Sequence, residues 1–176
     1  MDPFRDDVQP APSGPRQFAC FAMVDPSNVW SFITGSRESG GYLYGLAAHS
    51  TWEADAPIEF RAAEGYSLIG RVLHVEEPRR LSYVLQAGPD DPPTYLTWQI
   101  RACSGGSAIR LQVDEIDSTD DDEAAENVWL PVLAALQSRL AAHTTDESRT
   151  IAAPIEEPAD DISPHHRPEL SQGEIS

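Results

Sequence analysis

The chain has 176 residues, of which 40% are hydrophobic and 8% aromatic, so it can build one core but is short for two domains. Its 12 basic and 29 acidic residues give a formal charge of −17. The bases do not cluster in the sequence, which disfavours nucleic acid and anionic membranes as partners. No apolar run approaches the roughly 18 residues of a membrane span, and the start lacks the basic and apolar regions of a secretory signal. These absences predict a cytoplasmic protein, in which Cys20 and Cys103 are reduced thiols packed in the core.

The negative charge is unevenly distributed along the chain. Residues 1–15 contain three acids and one Arg, residues 114–126 contain eight acids and no base, and residues 144–176 contain eight acids and two Arg. The two end segments also mix Pro with polar residues, so they cannot bury enough apolar surface to offset the loss of chain entropy. We therefore predict a disordered leader over residues 1–15, one domain over residues 16–143 and a disordered acidic tail over residues 144–176.

Alternating apolar and polar residues predict β-strands along most of this domain. Residues 95–102 (YLTWQIRA) and residues 107–115 (SAIRLQVDE) follow the period of two that a strand with one buried face requires. Between them, residues 104–106 (SGG) predict a hairpin turn, because glycine adopts positive φ without steric cost. An earlier strand, apolar on both faces, is predicted over residues 16–24 (RQFACFAMV).

Two further strand pairs are predicted in the middle of the chain. Residues 70–76 (GRVLHVE) and residues 81–87 (LSYVLQA) form a hairpin, and Pro78 between them lacks the amide hydrogen that further pairing would need. Residues 58–62 (IEFRA) alternate again, and residues 49–55 (HSTWEAD) are their expected partner strand.

A short helix is predicted after the first strand. Asp25 suits the N-cap position, Pro26 suits the first helical position, and Gly35 ends the segment.

A longer helix is predicted at the end of the domain, because apolar residues recur there at intervals of three and four. These residues are Val128, Trp129, Val132, Leu133, Leu136 and Leu140. Ser118 and Thr119 have the spacing of a capping box, and the acids at 120–123 suit the positive end of a helix. Pro131 allows two interpretations, a helix that begins near Asn127 or a longer helix that bends. We favour the longer, bent helix.

The predicted order is β-α-β-β-β-β-β-β-α, with connections short enough for antiparallel neighbours. This predicts an α+β fold of the helix-grip type, in which a curved antiparallel sheet of six to seven strands wraps around a long C-terminal helix.

Four segments of the sequence resemble a known family. They are residues 25–34 (DPSNVWSFIT), 70–85 (GRVLHVEEPRRLSYVL), 105–117 (GGSAIRLQVDEID) and 128–141 (VWLPVLAALQSRLA). Together they cover most of residues 16–143 and are similar to motifs of the START-like (SRPBCC) superfamily, more closely to homologues of the activator of heat-shock-protein-ninety ATPase.

The resemblance implies a cavity between sheet and helix that, in many members, binds small apolar or aromatic molecules. Five aromatic residues on the predicted strands and helix suit the wall of such a site: Trp52, Phe60, Tyr83, Trp98 and Trp129. The same rings could instead simply fill the core. Tyr83 is the most interesting polar group if its hydroxyl points inward.

The first functional hypothesis is therefore a cytoplasmic binding protein for a small hydrophobic or aromatic ligand of unassigned specificity. Two alternatives follow from the resemblance. One is a regulator of a chaperone or enzyme, acting through a protein partner. The other is an enzyme similar to a polyketide aromatase or cyclase.

The sequence assigns no catalytic residue, metal or cofactor. It lacks the motifs of serine hydrolases, zinc proteases, dinucleotide-binding folds and P-loops. His49 and His74 are interpreted as packed or surface residues. The acidic run at 116–126 (IDSTDDDEAAE) lacks the glycine and spacing of a calcium loop.

Overall fold

The computed structural model of the protein describes residues 14–35, 41–115 and 122–151. Within these ranges the strands are β1 (Arg16–Ala22), β2 (Ala47–His49), β3 (Pro57–Arg61), β4 (Ser67–Glu76), β5 (Arg80–Gln86), β6 (Thr94–Cys103) and β7 (Gly106–Glu115). The helices are α1 (Pro26–Thr34) and α2 (Asp122–Ile151). The predicted capping residues Ser118 and Thr119 lie outside the described residues, as do most of the predicted leader and tail.

All described strands belong to one antiparallel sheet. Their order is β1-β7-β6-β5-β4-β3-β2. Strands β2 to β7 therefore pair with their neighbours in the chain, and β1 pairs with β7 at the edge of the sheet. The element order and the antiparallel sheet with a C-terminal helix confirm the predicted α+β helix-grip class.

The core lies between one face of this sheet, here called the inner face, and the two helices. The period of two places alternate side chains of each strand on the inner face. On β5, β6 and β7 the buried apolar residues are Leu81, Tyr83, Leu85, Leu96, Trp98, Ile100, Ile109, Leu111 and Val113. From α2 the buried residues are Ala125, Trp129, Val132, Leu133, Leu136 and Leu140. Each large apolar side chain buried in this way contributes about 1.5–3 kcal/mol to folding.

The first helix begins and ends where the sequence predicts. Asp25 occupies the N-cap position, and its carbonyl oxygen accepts hydrogen bonds from the amides of Asn28 and Val29 at 3.0 and 3.1 Å. The Asp25 side chain makes no capping hydrogen bond, so the backbone and Pro26 define this helix start.

The second helix is the longer of the two forms that Pro131 allows. It begins at Asp122, so Pro131 lies inside it on an exposed turn rather than in its first turn. The helix continues to Ile151, and the predicted domain end at residue 143 therefore falls within it. Within the described residues, neither helix has an apolar stretch that is long enough to cross a bilayer.

The prediction of a strand over residues 49–55 is wrong for most of its length. Only His49 belongs to β2, and Trp52 and Asp55 have φ values of 58° and 66°, outside the strand region. A local hydrogen-bond pattern replaces the strand: the Ser50 hydroxyl donates to the Pro57 carbonyl and accepts from the Trp52 amide. Trp52 therefore lies in a loop.

The two cysteines are free and lie in different environments. Cys20 is partly buried, and burial raises the pKa of its thiol to about 11, so it stays protonated at neutral pH. The prediction of core packing is wrong for Cys103, which is exposed because the β6–β7 hairpin extends beyond the core.

Gly70 allows β4 to lie against the backbone of β5. A Cβ atom at this position would lie 1.7 Å from the Val84 carbonyl oxygen and 3.2 Å from the Leu85 Cα atom. We expect Gly70→Ala to lower the free energy of unfolding by about 2–4 kcal/mol, because the two strands must separate locally. The measurement is urea unfolding followed by tryptophan fluorescence.

Gly14→Ala is the matched control, since a Cβ there meets no atom within 4 Å. It should change the free energy of unfolding by less than about 0.5 kcal/mol. Equal effects of the two substitutions would contradict the close approach of β4 and β5.

Candidate functional site

A cavity of about 440 Å³ lies at one end of the sheet, beside the start of α2. Its walls come from the turn before β2, from β4, from the ends of β5 and β6 that meet there, and from α2. The lining residues are Leu43, Tyr44, Leu68, Leu85, Gln86, Ala87, Asp91, Pro92, Thr94, Leu96, Val128 and Trp129. Most of this surface is apolar, with a few polar groups, as is usual for sites that bind small molecules.

The turn at residues 41–46 closes one side of the cavity. Tyr44 has a φ of 50° and the following Gly45 a φ of 79°, so the backbone reverses here through two left-handed residues. Leu43 and Leu46 are buried, while the exposed Tyr44 donates a hydrogen bond from its hydroxyl to the Val128 carbonyl oxygen. This bond joins the turn to the first half of α2.

Trp129 holds the same part of α2 against the sheet. Its indole Nε1 donates to the Glu115 carboxylate at 3.3 Å, and that carboxylate lies 3.8 Å from the Arg16 guanidinium. The Trp129 ring is buried and lines the cavity. The position of the ring is therefore set from two directions, by packing and by a hydrogen bond at the end of β7.

The polar groups of the cavity lie on the β5–β6 side. The Gln86 side-chain amide donates to the Asp91 carbonyl oxygen at 2.9 Å, which folds the connecting loop over the strand end. Asp91 provides the one carboxylate of the lining, and no lining residue is Lys, Arg or His. The cavity can therefore accept hydrogen bonds or a positive charge, but it offers no side-chain cation to an anionic ligand.

Of the five aromatic residues predicted from the sequence, Trp129 lines this cavity. Trp52, Phe60, Tyr83 and Trp98 come together in a separate aromatic cluster within the core. Tyr83 is at its centre, with its ring centroid 5.8 Å from that of Phe60 and 6.4 Å from that of Trp52. The structure thus brings four of the predicted residues together and places the fifth at the cavity.

The aromatic cluster contains a buried hydrogen-bond network. Trp98 donates from Nε1 to the Tyr83 hydroxyl at 2.9 Å, and Tyr42 donates to the Ile33 carbonyl oxygen at 3.3 Å. The Tyr42 and Trp98 rings meet edge to face at 6.0 Å and 85°. This network connects α1, the turn before β2 and two sheet strands.

The hydroxyl groups in the cluster are neutral at physiological pH. Burial raises the pKa of Tyr83 to about 12, and hydrogen bonding with Trp98 and Tyr42 opposes that rise only in part. Burial also raises the pKa of Tyr42 well above its usual value, with a further contribution from the nearby Tyr83. Neither tyrosine can therefore act as a base near neutral pH.

The aromatic cluster lies beside the cavity lining, on the same face of the sheet. Leu96, which lines the cavity, is the cross-strand partner of Tyr83. Leu68, which also lines it, is the partner of Phe60. Directly opposed residues of antiparallel strands point to the same face, so the cluster and the lining form adjacent rows.

Sequence reasoning missed the lining residues of the irregular segments. Leu43 and Tyr44 lie in a short turn, and Asp91 and Pro92 lie in a loop, where hydrophobic periodicity gives no signal. Glycines at 41 and 45 and the Asp-Pro-Pro run at 91–93 were the available signals, since such residues mark loops, and loops often carry binding groups.

Within the described ranges, no three His, Cys, Asp or Glu side chains come together to hold a metal ion.

A family model described as Activator of Hsp90 ATPase homolog 1-like protein matches residues 23–141. This segment is more than half of the chain and includes every cavity-lining residue. The chain belongs to this family, as its sequence motifs predict.

Several solved structures share the fold. The protein MLL2253 from Mesorhizobium loti is 18% identical, with a TM-score of 0.60, over 72% of this chain and 98% of that one. The Aha1 dimer from Colwellia psychrerythraea is 14% identical, with a TM-score of 0.60, over 73% and 96%. DynU16, from the dynemicin biosynthetic locus, is 16% identical, with a TM-score of 0.63, over 74% and 48%. At these identities the likeness shows the fold alone, and no curated protein sequence matches the chain.

Removal of the Tyr83 hydroxyl should destabilise the protein. In Tyr83→Phe the buried Nε1–H group of Trp98 loses its acceptor, which costs about 1–3 kcal/mol of the free energy of unfolding. Tyr95→Phe is the matched control, because Tyr95 lies on the neighbouring strand with an exposed side chain. Urea unfolding of both variants checks the prediction, and a Tyr83→Phe variant as stable as Tyr95→Phe would show that the network contributes nothing.

Proposed function

We propose that this protein binds a small apolar or aromatic molecule in the cavity at the start of α2. The observation that carries the proposal is the cavity itself, about 440 Å³ in volume and lined mainly by apolar and aromatic side chains, four of them leucines. This volume is within the range of roughly 300–1,000 Å³ that is typical of small-ligand sites. Burial of an apolar ligand against such a wall is favoured by the hydrophobic effect.

We assign the five predicted aromatic residues to two roles. Trp129 contacts the ligand directly, because its ring forms part of the lining. Trp52, Phe60, Tyr83 and Trp98 form a packed cluster beside the lining and support the neighbouring lining residues Leu96 and Leu68. A rigid wall favours selective binding, because little side-chain entropy is lost when the ligand enters.

We further infer that the ligand is neutral or positively charged. The Asp91 carboxylate lies at the wall, and the lining has no cation that could neutralise an acid. An amine or hydroxyl group on the ligand can bind beside Asp91, whereas a carboxylate meets a like charge. Fatty acids are therefore poorer candidates than amines or alcohols of similar size.

We do not extend the proposal to catalysis. The hydroxyl of Tyr83, the polar group that the sequence singled out, is neutral and enclosed by Trp98 and Tyr42, so it is not placed to act on a molecule in the cavity. A role as a chaperone regulator, which the family name suggests, stays a prediction, as does the location in the cytoplasm.

Three matched naphthalene compounds test the site. They carry a methylamine, a methanol or a carboxylate group on the same ring system. We expect the amine and the alcohol to bind with sub-millimolar Kd, which is roughly what about twelve non-hydrogen atoms can provide. The carboxylate should bind about tenfold more weakly than the amine. Isothermal titration calorimetry measures all three affinities.

A variant that fills the cavity separates this site from non-specific binding. In Ala87→Trp the new side chain extends from an exposed lining position, and we expect it to weaken binding of the alcohol by about tenfold or more. Ala63→Trp is the matched control, since Ala63 is exposed and lies outside the lining. Equal affinities in the two variants would place the ligand elsewhere and overturn the proposal.

Asp91→Asn tests the charge preference alone. Loss of the carboxylate should weaken amine binding by about two- to fivefold, the range of an exposed ion pair, and should leave the alcohol unchanged. The same calorimetric titration at low and high salt gives the comparison. Unchanged amine binding would rule out Asp91 as the group that selects the ligand.

A further inference from the structure

The outer face of the sheet, opposite the helices, carries a cluster of three arginines. Arg80 on β5 and Arg110 on β7 are the two cross-strand partners of Gln99 on β6. Arg101 lies two residues beyond Gln99 on the same strand and therefore points to the same face. We call Arg80, Arg101 and Arg110 the arginine cluster.

The three arginines of the cluster are exposed, and within the described part of the chain none takes part in the ion pairs found. Glu76 lies opposite Arg80 in the sheet, but its carboxylate is 3.8 Å from the guanidinium of Arg79. The cluster is thus a region of excess positive charge in a chain of net charge −17, because its three guanidinium groups outnumber the single neighbouring carboxylate of Glu76.

A groove of about 940 Å³ extends from the cluster toward α1. Arg79, Arg80, Arg101 and Gln99 line it together with the first residues of α1, and the lining also includes two acidic residues, Asp25 and Glu76. Guanidinium groups, the Gln99 amide and the positive end of a helix are donors that suit carboxylates.

We propose that the arginine cluster and this groove bind the acidic segment of the same chain, residues 152–176. That segment contains six acidic residues and one Arg, with its acids arranged as Glu156-Glu157 and Asp160-Asp161 before two single glutamates. Paired carboxylates at this spacing complement several guanidinium groups along one groove. The inference concerns the opposite end of the sheet from the ligand cavity and does not depend on the proposed function.

The direction of α2 makes this contact possible. Trp129 lies at the end of β7, beside Glu115, whereas Gln137 donates to the Phe21 carbonyl oxygen at 2.7 Å. Phe21 pairs with Ala108, which pairs with Arg101, so the helix runs from the cavity toward the arginine end of the sheet.

The length of chain after α2 is sufficient to reach the groove. Ile151 follows Gln137 by 14 residues, which places the helix end about 21 Å farther along its axis. The 25 residues from 152 to 176 can span up to about 80 Å when extended. Because the segment is tethered, its local concentration at the cluster is on the order of millimolar. Weak ion pairs are therefore sufficient to hold the segment at the cluster.

The test compares amide NMR spectra of the full-length wild-type protein and a full-length variant with a neutralised segment. The variant carries Glu156→Gln, Glu157→Gln, Asp160→Asn and Asp161→Asn. We expect changes in chemical shift at the amides of Gln99, Arg101 and Arg110, and we expect salt at about 0.5 M to remove them because it screens exposed charges. Glu53→Gln with Glu64→Gln is the control, since it removes two exposed acids of the folded part.

A reciprocal variant completes the experiment. Replacement of Arg80, Arg101 and Arg110 by Gln should make the spectrum insensitive to neutralisation of the segment. Identical spectra of wild type and the neutralised variant, or changes confined to other parts of the sheet, would overturn the proposal. Shift changes that grow with protein concentration would mean that the segment binds a second copy, and they too would overturn it.

Discussion

The fold depends on the packing of α2 against the inner face of the sheet. Val132, Leu133, Leu136 and Leu140 are buried there, so the middle of the described helix packs closely on the sheet. One turn earlier, the hydrogen bond from Trp129 to Glu115 and the bond from Tyr44 to the Val128 carbonyl also hold the helix. These bonds fix the helix beside the sheet at the end where the cavity lies.

The interior is divided into a rigid part and an open part. Tyr42, Tyr83 and Trp98 satisfy one another's polar groups, and buried networks of this kind hold side chains in one arrangement. The open part is lined by side chains from loops and strand ends, such as Tyr44 and Asp91. Loops vary more easily than strands, since few backbone hydrogen bonds constrain them. The same framework can thus present differently shaped cavities, while the aromatic cluster beside them stays in place.

Most of the fold could be predicted from the sequence, because the strands follow a period of two and α2 follows a period near 3.6. Prediction failed where side-chain hydrogen bonds to the backbone override the alternation of apolar and polar residues. Trp52 alternates with polar residues as a strand residue would, yet it lies in a loop whose conformation is set by the Ser50 hydroxyl. The candidate site was predicted less well. Of the five predicted aromatic residues, Trp129 lines the cavity, and the lining residue Tyr44 was not predicted. Pattern alone does not distinguish a ring in the core, such as Phe60, from a ring at a cavity, such as Trp129. The loop residues of the lining carry no periodic signal at all.

The most direct measurement of the central claim is a crystal structure of the protein pressurised with xenon. Xenon binds apolar cavities without any requirement for a specific ligand group. We predict xenon density among Leu43, Leu96 and Trp129, with the aromatic cluster around Tyr83 free of it. Side chains packed closely together between the start of α2 and the sheet, with no xenon there, would contradict the account.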